Sequence, residues 1–175
     1  MFNYWVKAAL LQKSIYPIFK KTPEMVMNSL ITVSLTGLSL SVAMKYSIPN
    51  DNQQESYLMM AVAFSTILVG WMLWSYLAKV ICQILGTESE FRDMMRCTGI
   101  AYSPGILFIL TSVPIIKYIA LPVVFIWLLI SVTRSIQSTQ GISFKKSIIP
   151  GLIGWFMSLI LFPILMLGNY FYVPQ

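Results

Sequence analysis

The sequence predicts an all-α, polytopic integral membrane protein with five transmembrane helices and a short N-terminal interfacial helix. Its 175 residues are 57% hydrophobic and only 10% charged, whereas an ordinary soluble domain carries about 25% charged residues. The few charges are concentrated between long apolar stretches. A membrane span needs about 20 apolar residues, and five stretches qualify, at about 25–44, 56–79, 97–116, 118–135 and 148–172.

The first 24 residues are predicted to form a cytoplasmic or interfacial amphipathic segment, ahead of a five-span membrane domain at 25–175. Lysines interrupt this segment, so it lacks the unbroken apolar core of a cleavable signal. An apolar and aromatic stripe at helical spacing is typical of a helix lying in the membrane interface. The stripe consists of Phe2, Trp5, Val6 and Ala9. The alternative is a loosely ordered tail.

Small residues in the first and last spans predict close helix packing, since they let helix backbones approach one another in lipid. Gly37 precedes Ser41 by four residues in the first span, and Gly151, Gly154 and Ser158 form a similar row in the fifth. The second span has its aromatic residues near the predicted cytoplasmic end, which predicts an interfacial belt. The belt residues are Trp71, Trp74 and Tyr76.

The third span follows a charged cytoplasmic segment. Thr87 lies three residues before Glu90, a spacing that predicts a helix N-cap at the threonine. Prolines inside the apolar stretches predict kinked helices that pack on one another, because neighbours must satisfy the carbonyl groups that proline leaves free. These prolines are Pro104, Pro114, Pro122 and Pro163.

The fourth span is the shortest, with 16 uncharged residues between Lys117 and Arg134. Both flanking side chains can extend along the helix to the interface, so the stretch is counted as a span. The alternative joins the third and fourth stretches into one re-entrant hairpin, with prolines on either side of Lys117.

Lysine and arginine set the orientation, because they are enriched in cytoplasmic loops. With five spans, ten of the twelve fall on one side and only Lys45 and Lys117 on the other. The N-terminus is therefore predicted in the cytoplasm and the C-terminus on the opposite side. The basic face predicts contact with anionic lipid headgroups or a partner. The candidate contact residues are Lys7, Lys13, Lys20, Lys21, Arg92, Arg134, Lys145 and Lys146. They are spread over three segments, so nucleic acid is not a predicted partner.

The sequence gives no positive case for an enzyme, a metal or a cofactor, and no catalytic residue is predicted. Every acidic residue lies at a flank or in a loop, which weakens a transporter hypothesis, because proton relays place ionisable groups inside the bundle. The absence of histidine and the presence of only two cysteines exclude a zinc site of ordinary composition. Cys82 and Cys97 fall on the cytoplasmic side, where thiols stay reduced, and are predicted to be unpaired.

A family resemblance rests on the third span and the chain that follows it. Arg96, Gly99, Ala101 and Pro104 open the third span, Trp127 lies in the fourth, and Gly141 and Ser143 precede the fifth. This pattern resembles the Yip-one domain of the Yip (Ypt/Rab-interacting protein) membrane family, over roughly residues 25–170. It departs at Ile100, where an aromatic residue is common.

The resemblance implies five spans, a cytoplasmic N-terminus and helix-packing roles for these motif residues. Eukaryotic members of the family are linked to Rab GTPases and vesicle traffic. The present chain lacks their long polar N-terminal region, so the Rab link is not carried over. A bacterial inner membrane is expected rather than a eukaryotic endomembrane.

The leading functional hypothesis is a non-enzymatic membrane adaptor or organiser that acts through its basic cytoplasmic face. The N-terminal helix, the 86–96 segment and the 134–147 loop would meet lipid headgroups, a membrane-protein partner or a second copy of the chain. One alternative is an accessory subunit of a larger membrane complex. Another is a small oligomeric transporter or channel, with a path lined by the Ser/Thr face of the first span and by the proline-broken third and fourth spans.

Overall fold

The computed structural model describes residues 1–47, 53–88 and 90–172. These residues contain no strand and form an all-helical bundle, as predicted. Seven α-helices are described: α1 (Phe2–Ala9), α2 (Tyr16–Lys21), α3 (Met25–Ser47), α4 (Gln53–Ile84), α5 (Phe91–Ala101), α6 (Lys117–Gln140) and α7 (Phe144–Tyr172). Two 3₁₀ helices accompany them, at Lys13–Ile15 and at Ser103–Ser112.

Four helices, α3, α4, α6 and α7, are long and apolar enough to cross a membrane. A fifth candidate consists of α5 and the Ser103–Ser112 helix, which meet at a bend of 41°. The count is therefore four spans, or five if the bent pair crosses as one. The short uncharged stretch after Lys117 belongs to a helix of 24 residues, because α6 continues through Arg134 to Gln140.

The bend between α5 and the Ser103–Ser112 helix, which together we call the third segment, has a clear cause. Pro104 occupies the first turn of the 3₁₀ helix and supplies no backbone N–H. The Tyr102 carbonyl at the bend accepts hydrogen bonds from the Thr36 hydroxyl at 3.0 Å and from the Gly105 N–H at 2.8 Å. A side chain of the neighbouring helix α3 thus helps to satisfy a backbone carbonyl at the break, as the proline pattern predicts. The ten-residue 3₁₀ helix is longer than the three or four residues that are usual.

The bent pair runs in the same direction as α3. The Ser29 hydroxyl donates to the Arg96 carbonyl at 2.6 Å. About two turns further along α3, the Thr36 hydroxyl donates to the Tyr102 carbonyl, which is also further along the bent pair. With 11 residues in α5 and ten in the 3₁₀ helix, the pair is about 17 Å plus 20 Å long. Even with the bend, this length matches a hydrocarbon core of about 30 Å.

The N-terminal segment contributes to the same hydrophobic core as the spanning helices. Ala8, Tyr16 and Phe19 are completely buried. The outer side of α1 remains apolar and exposed, with Phe2 at 74% and Val6 at 39%. Helix α1 is therefore amphipathic, as predicted, but its inner face packs against protein. The predicted division between residues 1–24 and the membrane domain does not correspond to a break in this core.

The predicted aromatic belt of the second span is wrong for two of its three members. Trp71 and Trp74 are only 3% and 1% exposed, whereas Tyr76 is 53% exposed. The Trp71 indole N–H donates to the Thr98 hydroxyl at 3.2 Å. Both tryptophans face the bundle because α4 is covered there by α5 and α7, which position along the chain could not reveal.

The predicted N-cap at Thr87 is also wrong. Helix α5 begins at Phe91 with Glu90 as its N-cap residue. Thr87 instead closes the end of α4, where its hydroxyl donates to the Cys82 carbonyl at 2.8 Å. Gly86, with φ of +82°, reverses the chain at that point, because glycine adopts a left-handed conformation without a Cβ clash. The threonine therefore satisfies a carbonyl at a helix C-terminus.

Candidate functional site

The three segments predicted to form a basic face meet at one end of the bundle. The Lys20 ammonium donates to the Thr139 carbonyl at 2.9 Å, and the Ser138 hydroxyl donates to the Lys13 carbonyl at 3.3 Å. The Arg96 guanidinium donates to the Lys20 carbonyl at 3.1 Å. These contacts connect the N-terminal segment with the start of α5 and the end of α6. We call this end of the molecule, formed by residues 13–24, 79–88, 90–96 and 134–147, the basic face.

The N-terminal segment is attached mainly through its backbone. The Trp127 indole N–H donates to the Ala9 carbonyl at 2.8 Å, and the Cys97 thiol donates to the Tyr16 carbonyl at 3.4 Å. Trp127 is seven residues from Arg134, about 10 Å along α6. Helix α1 therefore lies deeper in the bundle than Arg134, between α6 and α3. We call the donors that hold residues 1–21 the N-terminal clamp.

Tyr16 shows how tightly this segment is enclosed. Its side chain is completely buried, and this burial raises the pKa of Tyr16 to about 12. The phenol is therefore neutral near neutral pH. A neutral aromatic ring at this position suits a contact between helices, since burying a charge there would be costly.

Arg96 has a structural position at the basic face. It is only 7% exposed and forms an ion pair with Asp93, one turn earlier in α5. Its remaining donor contact is the Lys20 carbonyl. A buried arginine needs such partners, because an unpaired buried charge is strongly destabilising. Arg96 thus links α5 to the N-terminal segment.

The predicted headgroup contacts divide into two groups. Lys20 and Arg134 are half-buried and have protein partners: Lys20 donates to the Thr139 carbonyl, and Arg134 donates to Gln137 at 2.8 Å and lies 5.7 Å from the centre of the Phe144 ring. Lys7 is half-buried on α1. The other five are exposed: Lys13, Lys21, Arg92, Lys145 and Lys146. These five side chains are the ones available to an external partner.

The turn between α6 and α7 presents two of the exposed lysines. Gly141 ends α6 with φ of +66°, a left-handed conformation that glycine adopts readily. The Ser143 hydroxyl then accepts the Lys146 backbone N–H at 3.4 Å, next to the first residue of α7. Lys145 and Lys146 consequently occupy the first turn of a helix of 29 residues.

The remaining motif residues lie at helix contacts. A Cβ atom on Gly99 would lie 2.6 Å from the Ser29 Cβ and 3.2 Å from the Trp71 ring, so the glycine permits α5 to approach α3 and α4. Ala101 is completely buried and Pro104 is buried at the bend. No local sequence pattern indicates these partners, because Ser29 is 67 residues from Arg96 along the chain.

Besides its lysines and arginines, the basic face contains the carboxylates of Glu24, Glu88, Glu90 and Asp93. Among the described residues, no three side chains of His, Cys, Asp or Glu come together as a metal-binding group. Cys82 and Cys97 are buried and unpaired.

The Yip1 domain model matches residues 18–167, most of the chain. The chain is a member of the Yip1 domain family. This match confirms the resemblance seen in the motif residues and extends it to α2, which packs in the common core. No curated protein and no solved structure gave a significant match. Family membership, together with the apolar helices, identifies a multi-pass integral membrane protein.

Proposed function

We propose that this Yip1 domain protein is a non-enzymatic membrane organiser whose basic face binds anionic lipid headgroups and thereby positions a membrane-protein partner. The proposal includes five spans, with the basic face in the cytoplasm and the C-terminus on the other side. In that arrangement the cytoplasmic side has ten basic and four acidic residues, whereas the opposite side has two of each. The whole net charge of +6 then belongs to the cytoplasmic side.

One observation carries the proposal: Lys145 and Lys146 are exposed in the first turn of α7. The N-terminus of a helix has a partial positive charge, so two lysines there are unfavourably placed for the stability of the helix. An anion at the same position would be attracted by both ammonium groups and by the helix terminus. A lipid phosphate is the anion that a membrane surface supplies.

The test compares charge reversal on the two sides of the membrane. The protein is reconstituted in phosphatidylcholine nanodiscs with increasing fractions of phosphatidylglycerol, and the retained phosphatidylglycerol is counted by native mass spectrometry. Each basic residue near an anionic surface contributes about 1 kcal/mol, so the K145E/K146E variant should weaken phosphatidylglycerol binding by roughly 30-fold or more. The effect should shrink at high salt.

The matched control is K45E/K117E, which makes the same change in net charge on the opposite side. It should leave phosphatidylglycerol retention at the basic face unchanged. Equal losses of phosphatidylglycerol in both variants would show that net charge alone causes the effect and would count against a site at these two lysines. Unchanged retention in K145E/K146E would overturn the proposal.

The partner is addressed by mild-detergent affinity purification from the native membrane, followed by mass spectrometry. A stoichiometric partner whose retention is weakened by K145E/K146E would support the organiser. Retention that is independent of these lysines would favour an accessory subunit held through its helix faces.

A further inference from the structure

A cavity of about 270 Å³ lies between α3, α4, α6 and α7, beside the bend of the third segment. Its wall is almost entirely apolar and includes four aromatic rings, those of Trp74, Tyr102, Phe125 and Trp155. The volume is nearly twice the roughly 150 Å³ of an engineered apolar cavity that remains dry and takes up benzene. An apolar molecule is therefore a better occupant than water.

The cavity extends from the core to the outer surface of the bundle. Trp74 and Leu128 in its inner wall are 1% and 4% exposed, whereas Leu121 of α6 and Leu159 of α7 are 41% and 36% exposed. The opening thus lies between α6 and α7. Both helices qualify as membrane spans, so the medium outside this opening is lipid hydrocarbon.

The opening lies far from the basic face. Leu121 is four residues from Lys117, about 6 Å along α6, and thirteen residues from Arg134, about 20 Å. A lipid chain entering there comes from the leaflet opposite the basic face. The cavity is therefore separate from the headgroup site proposed above and does not depend on it.

The tryptophans of the cavity wall differ from the others. Trp5, Trp71 and Trp127 each donate their indole N–H to a protein acceptor. The buried N–H groups of Trp74 and Trp155 have no acceptor among the described residues. A buried donor without an acceptor is destabilising, and local rules of this kind are broken most often at functional sites.

We propose that the acyl chain of a bilayer phospholipid inserts sideways between α6 and α7 and occupies this cavity. The chain fills the space beside the four aromatic rings, while its headgroup remains in the leaflet opposite the basic face. The site makes the packing of α7 against α4 responsive to chain length and unsaturation, because Trp74 of α4 lines the cavity and also packs against Gly154 of α7.

The test uses a phosphatidylcholine with a photoactivatable diazirine in the middle of one chain, reconstituted with the full-length protein in vesicles. After irradiation, adducts are mapped by peptide mass spectrometry. We expect adducts on Trp74 or Leu128, which lipid at the outer surface cannot reach. Adducts confined to outward-facing residues such as Ile126 and Ile160, which are 54% and 47% exposed, would overturn the proposal.

Variants at the opening provide a second readout. L121F/L159F enlarges two side chains at the opening and should abolish the inner adducts while the outer ones remain. V123F/L152F introduces two phenylalanines at lipid-exposed positions of α6 and α7 outside the cavity wall, and should preserve the inner adducts. Inner adducts that persist in L121F/L159F would contradict this entry route.

Discussion

Individual glycines determine how closely the spanning helices approach. A Cβ atom on Gly37 of α3 would lie 2.9 Å from the Phe64 ring of α4, and one on Gly154 of α7 would overlap the Trp74 indole. The small-residue rows predicted in the first and fifth spans are confirmed as close contacts. Since packing rather than the hydrophobic effect drives helix association in lipid, these contacts are a main source of stability for the bundle.

The substitution Gly154→Ala should destabilise the protein by about 1–3 kcal/mol, the usual cost of overpacking. The matched control is Gly70→Ala, because a Cβ atom there meets the Ser158 hydroxyl at an ordinary 3.4 Å and alanine is the better helix former. The measurement is the free energy of unfolding in mixed micelles titrated with a denaturing detergent. Equal stability of the Gly154→Ala variant and the wild type would show that α7 can move away from Trp74.

At the scale of the element, the N-terminal segment behaves as part of the bundle. Backbone carbonyls of this segment accept hydrogen bonds from side chains of α5 and α6, including those of Trp127 and Cys97. Its own Trp5 donates to Thr32 of α3 at 2.8 Å. Such contacts hold the segment in place while its outer face, with Phe2, remains available to lipid.

Replacing Trp127 by phenylalanine keeps a ring but removes the N–H that holds the Ala9 carbonyl. A hydrogen bond of this kind contributes about 0.5–1.5 kcal/mol, so local opening of residues 1–21 should become roughly two- to twelvefold more frequent. Amide hydrogen exchange of the N-terminal peptides measures this change. Trp155→Phe is the control, because that N–H has no acceptor among the described residues. Equal exchange in both variants would contradict the N-terminal clamp.

At the scale of the whole molecule, the bent third segment decides the topology. If α5 and the Ser103–Ser112 helix cross the membrane as one span, α6 starts on the side opposite the basic face. If the third and fourth stretches form one re-entrant hairpin, Lys117 lies at its tip and α6 returns to the basic face without having started on the opposite side. The direction along α3 and the length of the pair favour a crossing.

Single cysteines at exposed or flanking positions distinguish these arrangements in sealed vesicles. For five spans, K45C and K117C should react with an impermeant thiol reagent from one side, and K145C from the other. The native Cys82 and Cys97 are buried and provide a low background. Failure of K117C to react from the side that labels K45C would contradict five spans and favour the re-entrant arrangement.

Much of the candidate site could be predicted, but not which of its cations are available. The distribution of lysine and arginine predicts ten basic residues on one side of the membrane, and helix spacing predicts an amphipathic α1. The sequence does not reveal that Lys20 and Arg134 are occupied by protein partners while Lys145 and Lys146 are exposed. The contact of Lys20 with Thr139 spans 119 residues, and no local pattern encodes such a pairing.

The sequence alone determined the membrane class, the candidate spans and the family. The membrane class and the candidate spans follow from the order of residues along the chain, because hydrocarbon excludes charge and a span has a fixed length. The family follows from motif residues that are also recognised by their order along the chain. Tertiary structure decided the inward position of Trp74, the burial of the N-terminal segment and the cavity beside the bend. Each depends on which helix faces meet, and an apolar side chain suits both lipid and a protein interior, so hydrophobicity could not distinguish the two.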